Sequence, residues 1–391
     1  MIVMIILTGI VAWMVIPSFS GTELPAVNMT AMGSENVKAQ VKEILEDGEV
    51  KLGETTQRYQ VARVEPLEGD YKGIVMEMDY GRRQILSNNV YLRPGDQILV
   101  TIGSRPDGVL TVYFADFVRI NSLIWLVAIF VVTILLLSGW KGLRSLLSMA
   151  ISLAVIIGYI IPHILAGEGP LRVSITGAIV LLMVTLYLTY GWNLKTHAAV
   201  LGMVIVLLIT GALAGLFVYA TRLTGSGDEN ALFLMQLLDT QINLRGLLLG
   251  GMIIGALGVL DDLVISQSSA VFELYQINPS LGFGKLFGSV MRIGQDHVAS
   301  TVNTLVLAYA GAALPLLLMF SLGRGNYATF VNFEFVAEEI VRTIVGSLGL
   351  IAAVPLTTAI ATLFALRAES LGKWSRYLGP ESSEVSHSHT H

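Results

Sequence analysis

The chain has 391 residues, 54% of them hydrophobic and only 14% charged. Soluble domains carry about a quarter charged residues, so this balance excludes an ordinary soluble protein and makes lipid the solvent for much of the chain. A net charge of −5 without a long basic block argues against a nucleic-acid partner, and the absence of cysteine excludes disulfides and thiolate metal sites.

Residues 1–17 open with an apolar stretch, Met1–Ile16, that ends at Pro17. It is read as a short signal anchor, with a cleaved signal as the rival reading because the length suits an h-region. Residues 18–121 are charged and alternate with period two: Val37, Ala39 and Val41; Ile74, Met76 and Met78; Ile98, Val100 and Ile102; Leu110, Val112 and Phe114. Such alternation predicts half-buried strands, and turns are expected at Gly69-Asp70, Asn88-Asn89, Pro94-Gly95-Asp96 and Asp107-Gly108. About five strands in this length predict a small barrel, OB-like, closed so that no edge is exposed.

From Ser122 the pattern is transmembrane. Spans are expected near 122–140, 145–165, 172–190, 197–219, 246–270, 299–320 and 339–366, eight with the first segment. The predicted fold class is therefore an all-α polytopic membrane bundle over 122–366, with an extracytoplasmic all-β domain inserted after the first helix and a tail at 367–391. Lys141 and Arg144, Lys195, Lys285 and Arg292, and Arg367, Lys373 and Arg376 fall on one side if the amino terminus is cytoplasmic. The positive-inside rule then places both termini in the cytoplasm and the β domain outside, against the weaker opposing set Arg172, Arg222, Arg245 and Arg324. Ala231–Leu238 is read as lying along the outer interface, and 282–295 as a cytoplasmic amphipathic helix.

The sixth span carries the chemistry. Asp262, Ser266, Ser269 and Glu273 recur at helical spacing on one face, Gln267 borders them, and Asp261 points about 100° away towards Ser268. Asp261 lies more than ~20 Å along the helix from Arg245, a depth at which a carboxylate costs about 2.5–3.5 kcal/mol. The alternative is a helix that leaves the membrane at Asp261. On the seventh span Asp296, Ser300, Asn303 and Thr304 form one stripe, and His297, Thr301 and Thr304 an overlapping one. One helix enters from outside and carries its polar residues late; the next enters from inside and carries them early. The two stripes are therefore expected at one depth, facing each other around a cavity. Oxygen donors of this kind suit a hard cation, with Asp262, Asp296 and His297 as candidate metal ligands, or a proton relay. Pro355 in the last span, beside Thr357, Thr358 and Thr362, is a candidate hinge. Gly202, Gly211, Gly215, Gly250, Gly251, Gly255 and Gly258 are read as close-packing positions. The tail histidines His387, His389 and His391 could bind metal weakly. No nucleotide-binding motif is present.

The strings GVLDDLVISQSSAVFEL, MRIGQDHVASTVNTLVLAYAGAALPLLL and EEIVRTIVGSLGLIAAVPLTTAIATLFA resemble the core of the YibE/F-like family of bacterial membrane proteins. The resemblance covers about 122–366 and carries over to Asp261, Asp262, Gln267, Ser269, Glu273, Asp296, His297, Ser300, Asn303 and Thr304. It implies no substrate. The residues themselves point first to a transporter or permeation pathway for a small polar solute or ion, cation- or proton-coupled. A membrane-embedded enzyme using the Asp/His cluster on a lipid or peptide is the second reading. The third is an accessory or scaffold protein whose β domain binds an extracytoplasmic partner. A homo-oligomer is compatible with each.

Overall fold

The computed structural model describes residues 36–52, 55–82, 91–104, 110–237, 241–322 and 327–368. The first apolar segment, the Asn88-Asn89 and Asp107-Gly108 turns and the histidine tail lie outside these residues. The described residues divide into two compact units, one ending at Leu137 and the other beginning at Ser138.

The first unit contains a closed five-stranded barrel of β1 (Asn36–Leu52), β2 (Thr55–Pro66), β3 (Met76–Tyr80), β4 (Gln97–Ser104) and β5 (Leu110–Phe117). The strand order is β1-β2-β3-β5-β4, and β1 pairs again with β4. All pairs are antiparallel except β3 with β5. Strand β1 serves two neighbours because bulges at Val41/Glu43 and Ile44/Glu46 bend it. The alternation fills the barrel: Val37, Ala39, Val41, Met78, Ile98, Val100 and Val112 are all buried. Ile74 is instead exposed, because β3 begins only at Met76. Strand β2 was not explicit in the alternation, because its core face includes a glutamine. Buried Gln60 donates from Nε2 to the Leu92 carbonyl (3.3 Å) and accepts from the Leu92 amide (2.7 Å), so a side chain stands in for a strand neighbour.

The helices are α1 (Ile120–Val155), a π-helical stretch (Ile156–Ile160), α2 (Ile161–Leu165), α3 (Pro170–Tyr190), α4 (Leu194–Ala220), α5 (Glu229–Leu237), α6 (Leu244–Ile277), α7 (Phe283–Ala312), α8 (Leu314–Leu322), α9 (Tyr327–Phe330) and α10 (Glu334–Arg367). Among the described residues five helical runs are long and apolar enough to cross a membrane, or six if α7 and α8, bent by 65°, count as one. This is a membrane protein. The eight expected spans are not all separate helices. The segments expected at 122–140 and 145–165 belong to one run of 46 residues, Ile120–Leu165, interrupted at Gly139, whose φ of 52° and ψ of −128° are not helical. The amphipathic segment read at 282–295 forms the first half of α7 and runs on into its apolar half without a break.

In the second unit α6 is central and packs on α3, α4, α7 and α10. Glycine permits the closest approaches: a methyl group at Gly202 would fall 2.7 Å from Thr357 Oγ1, so α4 and α10 nearly touch. The loop before α5 is fastened to α10 by carboxylates. Glu334 accepts from the Thr224 amide, the Thr224 hydroxyl (2.7 Å), the Gly225 amide (2.9 Å) and the Ser226 hydroxyl (3.2 Å), and Glu338 accepts from the Gly227 amide (3.2 Å).

Two outcomes test this architecture. Residues 30–120 expressed alone should show a cooperative thermal transition and a β-type circular dichroism spectrum; a disordered fragment contradicts a self-sufficient barrel. Glu334→Ala should destabilise the helical unit by on the order of 2 kcal/mol, because it strands several donors at once, and a melting curve in detergent reads the loss.

Candidate functional site

The thirty-four residues of α6 extend over ~50 Å at 1.5 Å per residue. Two of its faces differ sharply. One face is packed against the bundle: Leu260, Leu263, Val264, Gln267, Ser268 and Val271 are buried. The opposite face is open. Gly251, Gly255, Gly258, Asp262 and Glu273 are exposed, and Ser266 and Ser269 are half-buried. These seven residues follow helical spacing throughout, so they form one continuous strip. Among the described residues a methyl group on any of its three glycines would meet nothing within 4 Å. Gly251, Gly255 and Gly258 therefore do not serve the close packing that the sequence led one to expect, whereas Gly250 does, against Ser174.

The amino-terminal half of this strip borders a cavity of about 470 Å³. Its walls come from α2, α3, α6, α7 and α10 and from the loop held by Glu334 and Glu338, with Ile164, Ser174, Gly255, Val259, Leu305, Tyr309, Glu338 and Arg342 among the lining residues. Arg342 also pairs with Glu339 at 2.8 Å. The wall is mostly apolar, and its charged groups gather at the α10 end. Sequence reasoning missed this cavity, because its residues are mostly ordinary apolar ones drawn from elements far apart in the chain.

Asp261 is half-buried, and both it and Asp262 lie within electrostatic reach of Tyr190 at the end of α3. Gln267 and Ser268 are not part of the open strip. Gln267 Oε1 accepts from Thr358 Oγ1 at 3.1 Å, and Ser268 Oγ donates to the Lys195 carbonyl at 2.7 Å. They tie α6 to α10 and to the start of α4. Thr357, Thr358 and Thr362 are all buried in this region, and among the described residues Thr357 Oγ1 is a buried hydroxyl without a partner. Helix α10 continues on both sides of Pro355.

The second stripe is at the expected depth but on a different face. A methyl group at Gly294 would come within 2.7 Å of Gln267 Oε1, which fixes the register of α6 against α7. Asp262 precedes Gln267 by five residues and Asp296 follows Gly294 by two, so the antiparallel pair places them within about one helical turn of depth. Face to face they are not. The buried residues of α7 are Leu286, Val290, Gly294 and Leu305, while Asp296, Ser300, Asn303 and Thr304 are exposed on other sides of the helix. The reason is packing: small and aliphatic residues fit closely on the bundle, and the polar stripe is left outward. His297 and Thr301 are half-buried between the two. The Thr301 and Thr304 hydroxyls return to their own helix, bonding the His297 and Ser300 carbonyls at 2.8 and 3.0 Å. Among the described residues no group of three or more His, Cys, Asp or Glu is placed to hold a metal ion. The candidates Asp262, Asp296 and His297 thus do not converge within one chain.

Gln267→Ala should lower stability by about 2–3 kcal/mol, because it opens a cavity and strands the Thr358 hydroxyl. Thr358→Val should cost less, and the double variant less than the sum, since the two residues share one hydrogen bond. Melting temperatures of the three purified proteins check the order.

No curated protein and no solved structure matches the chain. A family model described as YibE/F-like protein matches residues 126–367, which contain the whole polar strip and the cavity. The chain belongs to the YibE/F-like protein family.

Proposed function

We propose that this protein is a transporter or permeation pathway in the bacterial plasma membrane for a small polar solute or ion, moved along the open face of α6. The observation that carries the reading is continuity. One strip runs from the cavity at Gly251 and Gly255, past Gly258, to Asp262, Ser266, Ser269 and Glu273. Glycines leave room beside the helix, and the carboxylates and hydroxyls beyond them offer only oxygen. Lipid cannot solvate Asp262, so this face demands water or a polar solute. The oxygen donors favour a cation as cargo, or a proton carried on a carboxylate.

The topology fitting this role has eight crossings. The first segment supplies one, Ile120–Leu165 two on either side of Gly139, and α3, α4, α6, the bent α7–α8 pair and α10 the rest. Ile120–Leu165 has 46 residues, enough for two crossings at about 20 each. Both termini are then cytoplasmic, the cavity opens at the outer end, and the barrel stands outside. Its strand order, with β3 parallel to β5, supports the OB-like reading, a class that presents a face to partners.

Purified protein in liposomes should conduct one of a panel of protons and metal cations. Asp262→Asn should reduce that flux at least tenfold while leaving the melting temperature unchanged, since the amide keeps the volume and removes only the charge. Glu273→Gln should reduce it less, being nearer the helix end. Unchanged flux and unchanged melting in Asp262→Asn would end the proposal. Topology is read separately, in a chain free of native cysteine. Ile74→Cys should react with an impermeant thiol reagent in intact cells and Ser280→Cys should not; the reverse pattern refutes the orientation.

A further inference from the structure

We propose that the outward stripe of α7 is the contact with a second copy of this chain. The inference rests on the membrane reading above and extends it to the second polar helix. Lys285, Arg292, Asp296, Ser300 and Asn303 recur at helical spacing and are all exposed. They lie opposite Leu286, Val290, Gly294 and Leu305, which face the bundle. Among the described residues Asp296 has no ion pair, and Arg292 reaches only the Ser289 hydroxyl at 3.4 Å. From Asp296 to Asn303 this stripe is at membrane depth, where lipid cannot satisfy it.

A second copy of the chain is complementary to this stripe. A two-fold axis along the membrane normal sets the two α7 helices parallel at equal depth. Each Asp296 then lies one turn from the other copy's Arg292, giving two charge pairs. Ser300 and Asn303 both donate and accept, so each can bond its own counterpart.

The test uses the full chain in native membranes. Ser300→Cys and Asn303→Cys should each give a disulfide-linked dimer on copper–phenanthroline oxidation, and Leu208→Cys, exposed on α4, should not. Asp296→Ala should raise the dimer dissociation constant in liposomes, measured by subunit photobleaching, by about tenfold, or about 1.4 kcal/mol. Cross-linking at Leu208→Cys equal to that at Ser300→Cys would overturn the proposal, as would a monomer throughout. So would a link from Ser300→Cys to Thr8→Cys within one chain. The cysteine variants keep every charge, so they decide the matter even if Asp296→Ala fails to fold. Cross-linking is read without flux: a dimer with silent Asp262→Asn removes only the pathway, and lost flux without a dimer removes only the interface.

Discussion

A hydrocarbon layer has no water to satisfy a polar group, and nearly every placement in the helical unit follows from that constraint. Most polar side chains turned into the bundle find partners inside the protein. Thr210 bonds the Val206 carbonyl, Ser347 that of Thr343 and Thr362 that of Thr358, each four residues back on its own helix. Gln267 and Ser268 reach across to α10 and α4. Asp262 and Asp296 do neither, and both are exposed. Groups so costly to leave unsatisfied are the natural place to look for a polar route and a protein contact.

Glycine serves two opposite ends on the same helices. At Gly202, Gly250 and Gly294 it removes a side chain so that a neighbouring helix can approach. At Gly251, Gly255 and Gly258 none of the described residues approaches, and the missing side chains leave space instead. The first group holds α4, α6, α7 and α10 together, and the second keeps one face of α6 clear above the carboxylates. A rigid packed side and an empty side on one helix suit a pathway whose walls need not move far. The clamp of Glu334 and Glu338 on the loop before α5 steadies the cavity at the end of that face.

The barrel obeys a different solvent. Its apolar residues point inward at period two and its charges outward, where Arg58 pairs with Asp47 and Arg63 with Glu43. Such exposed pairs contribute little, so the enclosed core and the closed ring of strands carry its stability.

Much of this was legible in the residues. Alternation at Val37–Val41 and Ile98–Ile102 specified barrel strands, because a strand shows its faces every second residue. Long uncharged runs specified helices in lipid, and the spacing of Asp262, Ser266, Ser269 and Glu273 specified a single face, because both depend only on local geometry. Even the shared depth of Asp262 and Asp296 followed from the short antiparallel connection. Which way each face turns did not. Rotation of a helix about its axis is set by its neighbours: Gly294 seating on Gln267 turned Asp296 outward, and the packing of α6 on α3, α4, α7 and α10 left Gly251, Gly255 and Gly258 uncovered by the described residues. Likewise Gln267 read as a member of the polar strip until its contact with Thr358 placed it in the core. The cavity has no local pattern at all, since its walls come from elements far apart in sequence, and only their packing brings them together.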